Sequence, residues 1–214
     1  MTFLSQSHPQ ILIADEGNIV RSVAAAHLLS RWITNHQEIS MELESSPKIV
    51  SVGRWDEGMP KFDNMTQYPF WNEKFDTLFE RFGFDIKQLS ECKPMQITED
   101  MMRDSHFILG VSKADTDALR KMYGGKYENK VFLFSDLGGR NIDFGDPFHQ
   151  KDFDVNAAER MLQQMEEICD SQEHLSVDSG EPWHESMRKR LEASREEREL
   201  GDVESELGRD REKM

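Results

Sequence analysis

Residues 11–22 read Ile-Leu-Ile-Ala-Asp-Glu-Gly-Asn-Ile-Val-Arg-Ser, a sequence whose first part is apolar and whose second part is mostly polar. Residues 11–14 form a short, continuous apolar run, which is typical of a strand buried on both faces. After residue 22 the chain continues as Val-Ala-Ala-Ala-His-Leu-Leu, a run that favours helix. Residues 15–20 are therefore predicted to connect a strand directly to a helix.

Apolar strands and amphipathic helices alternate along the first 172 residues. The predicted strands after the first lie at 48–52, 106–111 and 130–134, and predicted helices after the first lie at 75–82, 113–122 and 152–170. Helical crossovers between strands produce a parallel sheet covered on both faces. We therefore expect residues 1–172 to form one domain, a three-layer α/β/α fold with a four-stranded parallel sheet.

The composition changes after residue 172. Residues 173–214 are rich in charged side chains and carry few large apolar ones. Such a segment buries too little apolar area to offset its conformational entropy. We expect a charged C-terminal tail over 173–214, disordered or partly helical, whose removal after Asp170 leaves the melting temperature nearly unchanged.

The overall charge and the cysteines exclude several classes of function. The chain has 41 acidic and 26 basic residues among 214, a formal net charge of −15, which argues against a nucleic-acid partner. Its two cysteines, Cys92 and Cys169, have neither disulfide-scaffold nor metal-site spacing, which favours a reducing compartment. No apolar run is long enough to cross a membrane. We expect a cytoplasmic protein with no membrane partner, and the sequence leaves its oligomeric state open.

The loop after the first strand is a candidate oxyanion site. In parallel α/β sheets, ligands bind beyond the carboxyl ends of strands, where a helix begins. Gly17 and Asn18 tolerate left-handed backbone, so the loop N–H groups can point inward as an anion nest. Arg21 can add a bidentate guanidinium. A plain tight connection has a similar sequence, but Arg21-Ser22 at the helix start favours the oxyanion site.

This loop resembles the phosphate-binding loop of the low-molecular-weight protein tyrosine phosphatases, a strand followed by Cys-x-Gly-Asn-x-x-Arg-Ser. Further segments resemble motifs of that family, in the same order, at 50–53, 82–86, 96–100, 108–119 and 146–148. The segment 146–148 resembles the family's Asp-Pro-Tyr general-acid loop. The resemblance implies the fold of the family over residues 8–172. It also implies a phosphate-binding loop made of Glu16, Gly17, Asn18, Ile19, Val20, Arg21 and Ser22.

The resemblance implies three catalytic positions, of which two keep the family's residue type. The family attacks phosphorus with a cysteine thiolate, binds the phosphoryl oxygens with an arginine and protonates the leaving group with an aspartic acid. Arg21 and Asp146 hold the last two positions, whereas Asp15 holds the nucleophile position. Val20 replaces a second loop cysteine, and Met95 replaces an arginine of a neighbouring segment.

Asp15 is expected to remove the covalent chemistry, because a carboxylate is a weaker nucleophile than a thiolate. We expect it to accept the nest N–H groups and to pair with Arg21, with a lowered pKa, as an internal phosphate mimic. Sites that use an aspartyl nucleophile supply Mg²⁺ to offset the charge. Glu16, Asp143 and Asp146 are the only candidate ligands for such an ion, so we expect no metal and no other cofactor.

The favoured interpretation is a pseudophosphatase that acts as a binding or regulatory module for a protein or phosphoprotein partner. One alternative is an active phosphatase, or another phosphoester hydrolase, that uses Asp15 and Asp146. A second alternative is an interaction protein that works through its tail or through residues 59–72. That segment, which includes Phe70 and Trp71, is apolar for a loop and is either a packed cover or a partner surface.

Overall fold

A computed structural model describes residues 10–35, 47–55, 65–68, 73–147, 154–171 and 183–212. Within the segment 59–72 only residues 65–68 are described, so the expectation for Phe70 and Trp71 lies outside the described residues. Phe148, the last residue of the segment 146–148, also lies outside the described residues.

The described strands form a four-stranded parallel sheet of order β2-β1-β3-β4. The strands are β1 (Gln10–Asp15), β2 (Lys48–Gly53), β3 (Phe107–Gly110) and β4 (Val131–Leu133). Leu12 of β1 lies opposite Val50 on one side and Ile108 on the other. The central place of β1 explains its continuous apolar run, and the predicted four-stranded parallel sheet is confirmed.

Helices cover both faces of this sheet. They are α1 (Arg21–Asn35), α2 (Glu73–Arg81), α3 (Ile86–Glu91), α4 (Glu99–Asp104), α5 (Lys113–Lys121), α6 (Val155–Asp170) and α7 (Trp183–Glu212). Ile11 and Ile13 pack in a cluster that includes α1 and α6 residues, whereas Leu12 and Ala14 pack with α4 and α5 residues. Alternate β1 side chains thus enter opposite layers, which confirms the predicted three-layer architecture.

The C-terminal helix α7 packs against the domain. Met187 and Leu191 are buried in the larger core cluster. The guanidinium of Arg195 lies over the Phe132 ring, and Arg198 forms two hydrogen bonds with the buried carboxylate of Asp136. The expectation that residues after Asp170 add nothing to the core is therefore wrong. Arginines also pack, through their stems and planar head groups, so the number of large apolar residues alone understates how firmly this segment is held.

No helix within the described residues has the length and apolar character needed to span a membrane.

Candidate functional site

The predicted phosphate-binding loop lies at the carboxyl edge of the sheet, between the end of β1 and the start of α1. Because β1 lies between β2 and β3, residues that follow those two strands also reach this edge. Most of the loop is enclosed. Gly17, Asn18, Val20, Arg21 and Ser22 are buried, and Glu16 and Ile19 are half-buried.

Asn18 fixes the conformation of the loop. Its φ of 52° is in the left-handed region that the sequence indicated for this position. Its side-chain Oδ1 accepts hydrogen bonds from the Met95 N–H at 2.8 Å and from Gln67 Nε2 at 2.9 Å. Its Nδ2 donates to Ser22 Oγ at 3.2 Å. One fully buried side chain thus connects the loop and its Ser22 end to two neighbouring segments.

Asp15 lies inside the loop, and its carboxylate binds the loop backbone. It is 3% exposed, and its Oδ1 and Oδ2 accept hydrogen bonds from the backbone N–H groups of Asn18 at 2.6 Å and Ser22 at 3.0 Å. Its carboxylate therefore takes two of the donors that the nest offers, as the sequence predicted.

The pKa of Asp15 lies above its ordinary value, because burial disfavours the charged carboxylate. The nearby Arg21 guanidinium and the two accepted N–H bonds lower this pKa but do not compensate for burial, and Asp115 raises it further. The expected lowering of the pKa is therefore wrong. Burial of the carboxylate outweighs the neighbouring charge and donors.

Arg21 is paired with a carboxylate that the sequence did not identify. Its Nη1 donates to the Phe144 carbonyl oxygen at 3.1 Å and lies 3.4 Å from Asp115 Oδ2. The expected ion pair with Asp15 is not formed, because the carboxylate of Asp15 is directed to the loop N–H groups. Arg21 instead attaches the loop to α5 and to the segment before Asp146.

Asp115 also binds Arg54, the first residue after β2. Arg54 Nε lies 2.6 Å from Asp115 Oδ1, and the Arg54 backbone N–H donates to the Asp15 carbonyl oxygen at 2.9 Å. Ser112 caps α5 and donates its hydroxyl to Asp115 Oδ2 at 2.5 Å. A signal for Asp115 does exist in the sequence, since Ser-x-x-Asp after an apolar strand is a capping pattern that places its members at this edge.

Gly53, at the end of β2, permits the close approach of these elements. A Cβ atom at this position would lie 2.3 Å from the Trp55 ring and 3.1 Å from the Asn18 nitrogen. Its N–H donates to the Met95 carbonyl oxygen at 2.7 Å. Trp55 thus packs over the backbone beside the loop. Met95, which the sequence resemblance compares with an arginine, is a well-exposed apolar side chain.

Asp146 is half-buried in the segment that follows β4. It lines a cavity of about 280 Å³ with Asp143 and Arg160 among its neighbours. The backbone carbonyl of Phe144, two residues earlier, accepts the hydrogen bond from Arg21, so this segment is attached to the loop 15–22. The structure thus places Asp15, Arg21 and Asp146 on connected segments.

Neither cysteine lies in the loop. Cys92 is half-buried after α3, and Cys169 is buried in α6, where burial raises its pKa and disfavours the reactive thiolate. Within the described ranges, no group of three or more His, Cys, Asp or Glu residues is arranged to hold a metal ion. The loop therefore offers a carboxylate, backbone N–H groups and arginine side chains as its chemical groups.

Comparisons with known proteins identify the fold. No protein-family model matches the chain, and no curated protein sequence matches it. Among solved structures, a low-molecular-weight phosphotyrosine phosphatase from Vibrio cholerae is 18% identical with a TM-score of 0.58, covering 80% of this chain and 95% of that one. YfkJ from Bacillus subtilis is 19% identical with a TM-score of 0.59, covering 82% and 99%.

A protein tyrosine phosphatase from Entamoeba histolytica is 16% identical with a TM-score of 0.59, covering 80% of this chain and 98% of that one. Each of these proteins is matched over nearly its whole length. At such identities the similarity concerns the backbone arrangement. The chain therefore has the α/β fold of the low-molecular-weight tyrosine phosphatases.

Proposed function

We propose that this protein is a catalytically inactive, phosphatase-like module that binds a phosphorylated protein partner at the loop 15–22. The observation that carries the proposal is the position of Asp15. The resemblance of the loop sequence assigns the Asp15 carboxylate to the place of the phosphatases' thiolate, and this carboxylate accepts the N–H groups of Asn18 and Ser22. A buried carboxylate with a raised pKa is a poor nucleophile at phosphorus.

Arg21 supports retained binding. Its Nη1 is held by Asp115 and Phe144, whereas within the described part of the chain no hydrogen bond uses its Nε and Nη2. These two groups form one edge of the guanidinium, and such an edge suits two oxygens of a phosphoryl group. Arg21 therefore keeps the geometry for binding an oxyanion although the nucleophile is absent.

Asp15 also sets the strength of that binding. A phosphoryl group and an ionised Asp15 would repel each other and compete for the same two N–H donors. The raised pKa of Asp15 favours its neutral form, which reduces the repulsion as the pH falls. We expect weak phosphate binding that improves on acidification.

A phosphatase assay tests the loss of catalysis. Turnover of p-nitrophenyl phosphate is measured for the wild type, Asp15→Cys and Asp15→Ala, each with and without Mg²⁺, with Cys92→Ser as a control for a relocated thiol. The wild type is expected to show no turnover above background. Wild-type turnover that disappears in Asp15→Ala would instead establish an active hydrolase with an aspartate nucleophile, and its dependence on Mg²⁺ would identify metal assistance.

A calorimetric titration tests the retained binding. Phosphate and vanadate are titrated into the wild type, Asp15→Ser and Arg21→Gln. Asp15→Ser is expected to bind more tightly, because the substitution frees the N–H groups of Asn18 and Ser22, and Arg21→Gln is expected to bind more weakly. Equal affinity in all three proteins would refute a binding role for the loop.

A further inference from the structure

One buried carboxylate holds two guanidinium groups at the edge of the sheet. Asp115 Oδ2 lies 3.4 Å from Arg21 Nη1, and Asp115 Oδ1 lies 2.6 Å from Arg54 Nε. The two arginines come from different elements, the start of α1 and the end of β2. Because both contact the same carboxylate, their head groups lie within the reach of one small ligand.

Arg54 is the more exposed of the two arginines. Its side chain is 21% exposed, against 10% for Arg21 and 1% for Asp115. Its Nε is bound by Asp115, whereas no hydrogen bond to another described residue uses its two Nη groups. The outer edge of this guanidinium therefore retains donors beside the loop.

The charges at this edge favour an anionic ligand. Asp115 neutralises one of the two arginines, and burial raises the pKa of Asp15 and so favours its neutral form, which leaves the half-buried Glu16 as the other acidic residue of the loop. The chain as a whole carries a formal net charge of −15, so two neighbouring guanidinium groups with donors left unused within the described residues are a place where an anion can bind on an otherwise acidic molecule.

We propose that Arg54 is a specificity-determining residue that binds a carboxylate next to the phosphoryl group, so that the site selects a phosphopeptide with an acidic neighbouring residue. This inference rests on the proposed function, in which Arg21 binds the phosphoryl group. The two Nη groups of Arg54 form a fork that fits the two oxygens of a carboxylate.

The test compares two phosphotyrosine peptides that differ only in the neighbouring residue, Glu in one and Gln in the other. Their affinities for the full chain are measured by fluorescence anisotropy, for the wild type and for Asp15→Ser, in which binding is expected to be stronger. The preference for the Glu peptide is expected to be about tenfold, the ratio that corresponds to one charge-assisted pair of about 1.4 kcal/mol.

Arg54→Gln is expected to abolish this preference, and Arg54→Lys is expected to reduce it, because lysine keeps the charge and loses the fork. If the Gln variant fails to fold, the Lys variant still measures the effect of Arg54 on the preference, because lysine keeps a positive charge beside Asp115. Arg103→Gln, an exposed arginine that pairs with Asp100 and Asp104, is the matched control and should keep the preference.

Each remaining outcome refutes a different statement. Equal affinity for the two peptides, or a preference that survives in Arg54→Gln and Arg54→Lys, overturns the role of Arg54 while leaving phosphate binding intact. Failure of the wild type and of Asp15→Ser to bind either peptide or inorganic phosphate overturns the proposed function, and the role of Arg54 with it.

Discussion

Replacing Arg198 by alanine is expected to destabilise the whole domain, although this residue lies in the C-terminal helix. Arg198 Nε and Nη2 each lie 3.1 Å from an oxygen of Asp136, whose side chain is fully buried. Asp136 Oδ2 also accepts the N–H of Leu133 at the end of β4. Arg198→Ala leaves this carboxylate buried without its cation, and truncation after Asp170 does the same.

The expected loss is large because breaking a buried ion pair by removing one partner costs about 3–5 kcal/mol. For a chain of this size each kcal/mol lowers the melting temperature by about 2–4 °C, so the melting temperature should fall by about 6–20 °C. An exposed pair such as Arg140–Glu167 gives the contrast, since its side chains are 44% and 58% exposed and such pairs contribute about 0–1 kcal/mol.

Thermal unfolding followed by circular dichroism measures the difference between Arg198→Ala and its matched control Arg140→Ala. Adding Asp136→Asn to Arg198→Ala should recover part of the loss, because the amide removes the unpaired charge and can still accept the Leu133 N–H. Equal melting temperatures for Arg198→Ala and Arg140→Ala would refute the reasoning and would show that α7 does not contribute to the cooperative core.

Three further predictions concern the loop and its neighbours. Asp15→Asn should raise the free energy of unfolding at neutral pH. A raised folded-state pKa contributes stability below the unfolded value of 3.8, and that contribution is lost as the pH rises through the folded pKa. The gain from Asn should therefore be full above the folded pKa of Asp15, shrink as the pH falls through it, and be smallest below pH 3.8, in urea titrations at several pH values. Gly53→Ala should lower stability by about 1–3 kcal/mol, since its Cβ would overlap the Trp55 ring, whereas Gly145→Ala, with open space around it, is the control; equal urea midpoints would contradict this. Ser112→Ala removes the cap of α5 and should cost about 1 kcal/mol, and an unchanged midpoint would show that the cap contributes nothing.

The parts of the fold that depend on local pattern were predictable from the sequence. The apolar run at residues 11–14 indicated a strand buried on both faces, and all of these side chains are fully buried at the centre of the sheet. The residue types in the loop indicated where the backbone turns, and Asn18 takes the left-handed conformation. Strand pattern and turn chemistry act within a few residues, so one sequence is enough to identify them.

The pairing of charges was not predictable in the same way. From the sequence alone, several carboxylates could pair with Arg21. It pairs with Asp115 and not with Asp15 because of where the starts of α1 and α5 lie in three dimensions. The pKa of Asp15 depends on the balance between burial and hydrogen bonding, and a sequence shows neither quantity. The docking of α7 depends on the buried partner of Arg198, which lies far away along the chain.

The central place of β1 has a consequence for the order of events during synthesis. One edge of β1 can pair as soon as β2 is made, but the other edge waits for β3, because Ile11 pairs with Phe107. At translation rates of about 5–20 residues per second, the second edge stays open for about 5–20 s after Ile11 is added. During that interval an apolar strand with an unpaired edge is available to other nascent chains. Slower translation of residues 54–107 therefore lengthens the period of exposure and increases the need for a chaperone at the ribosome.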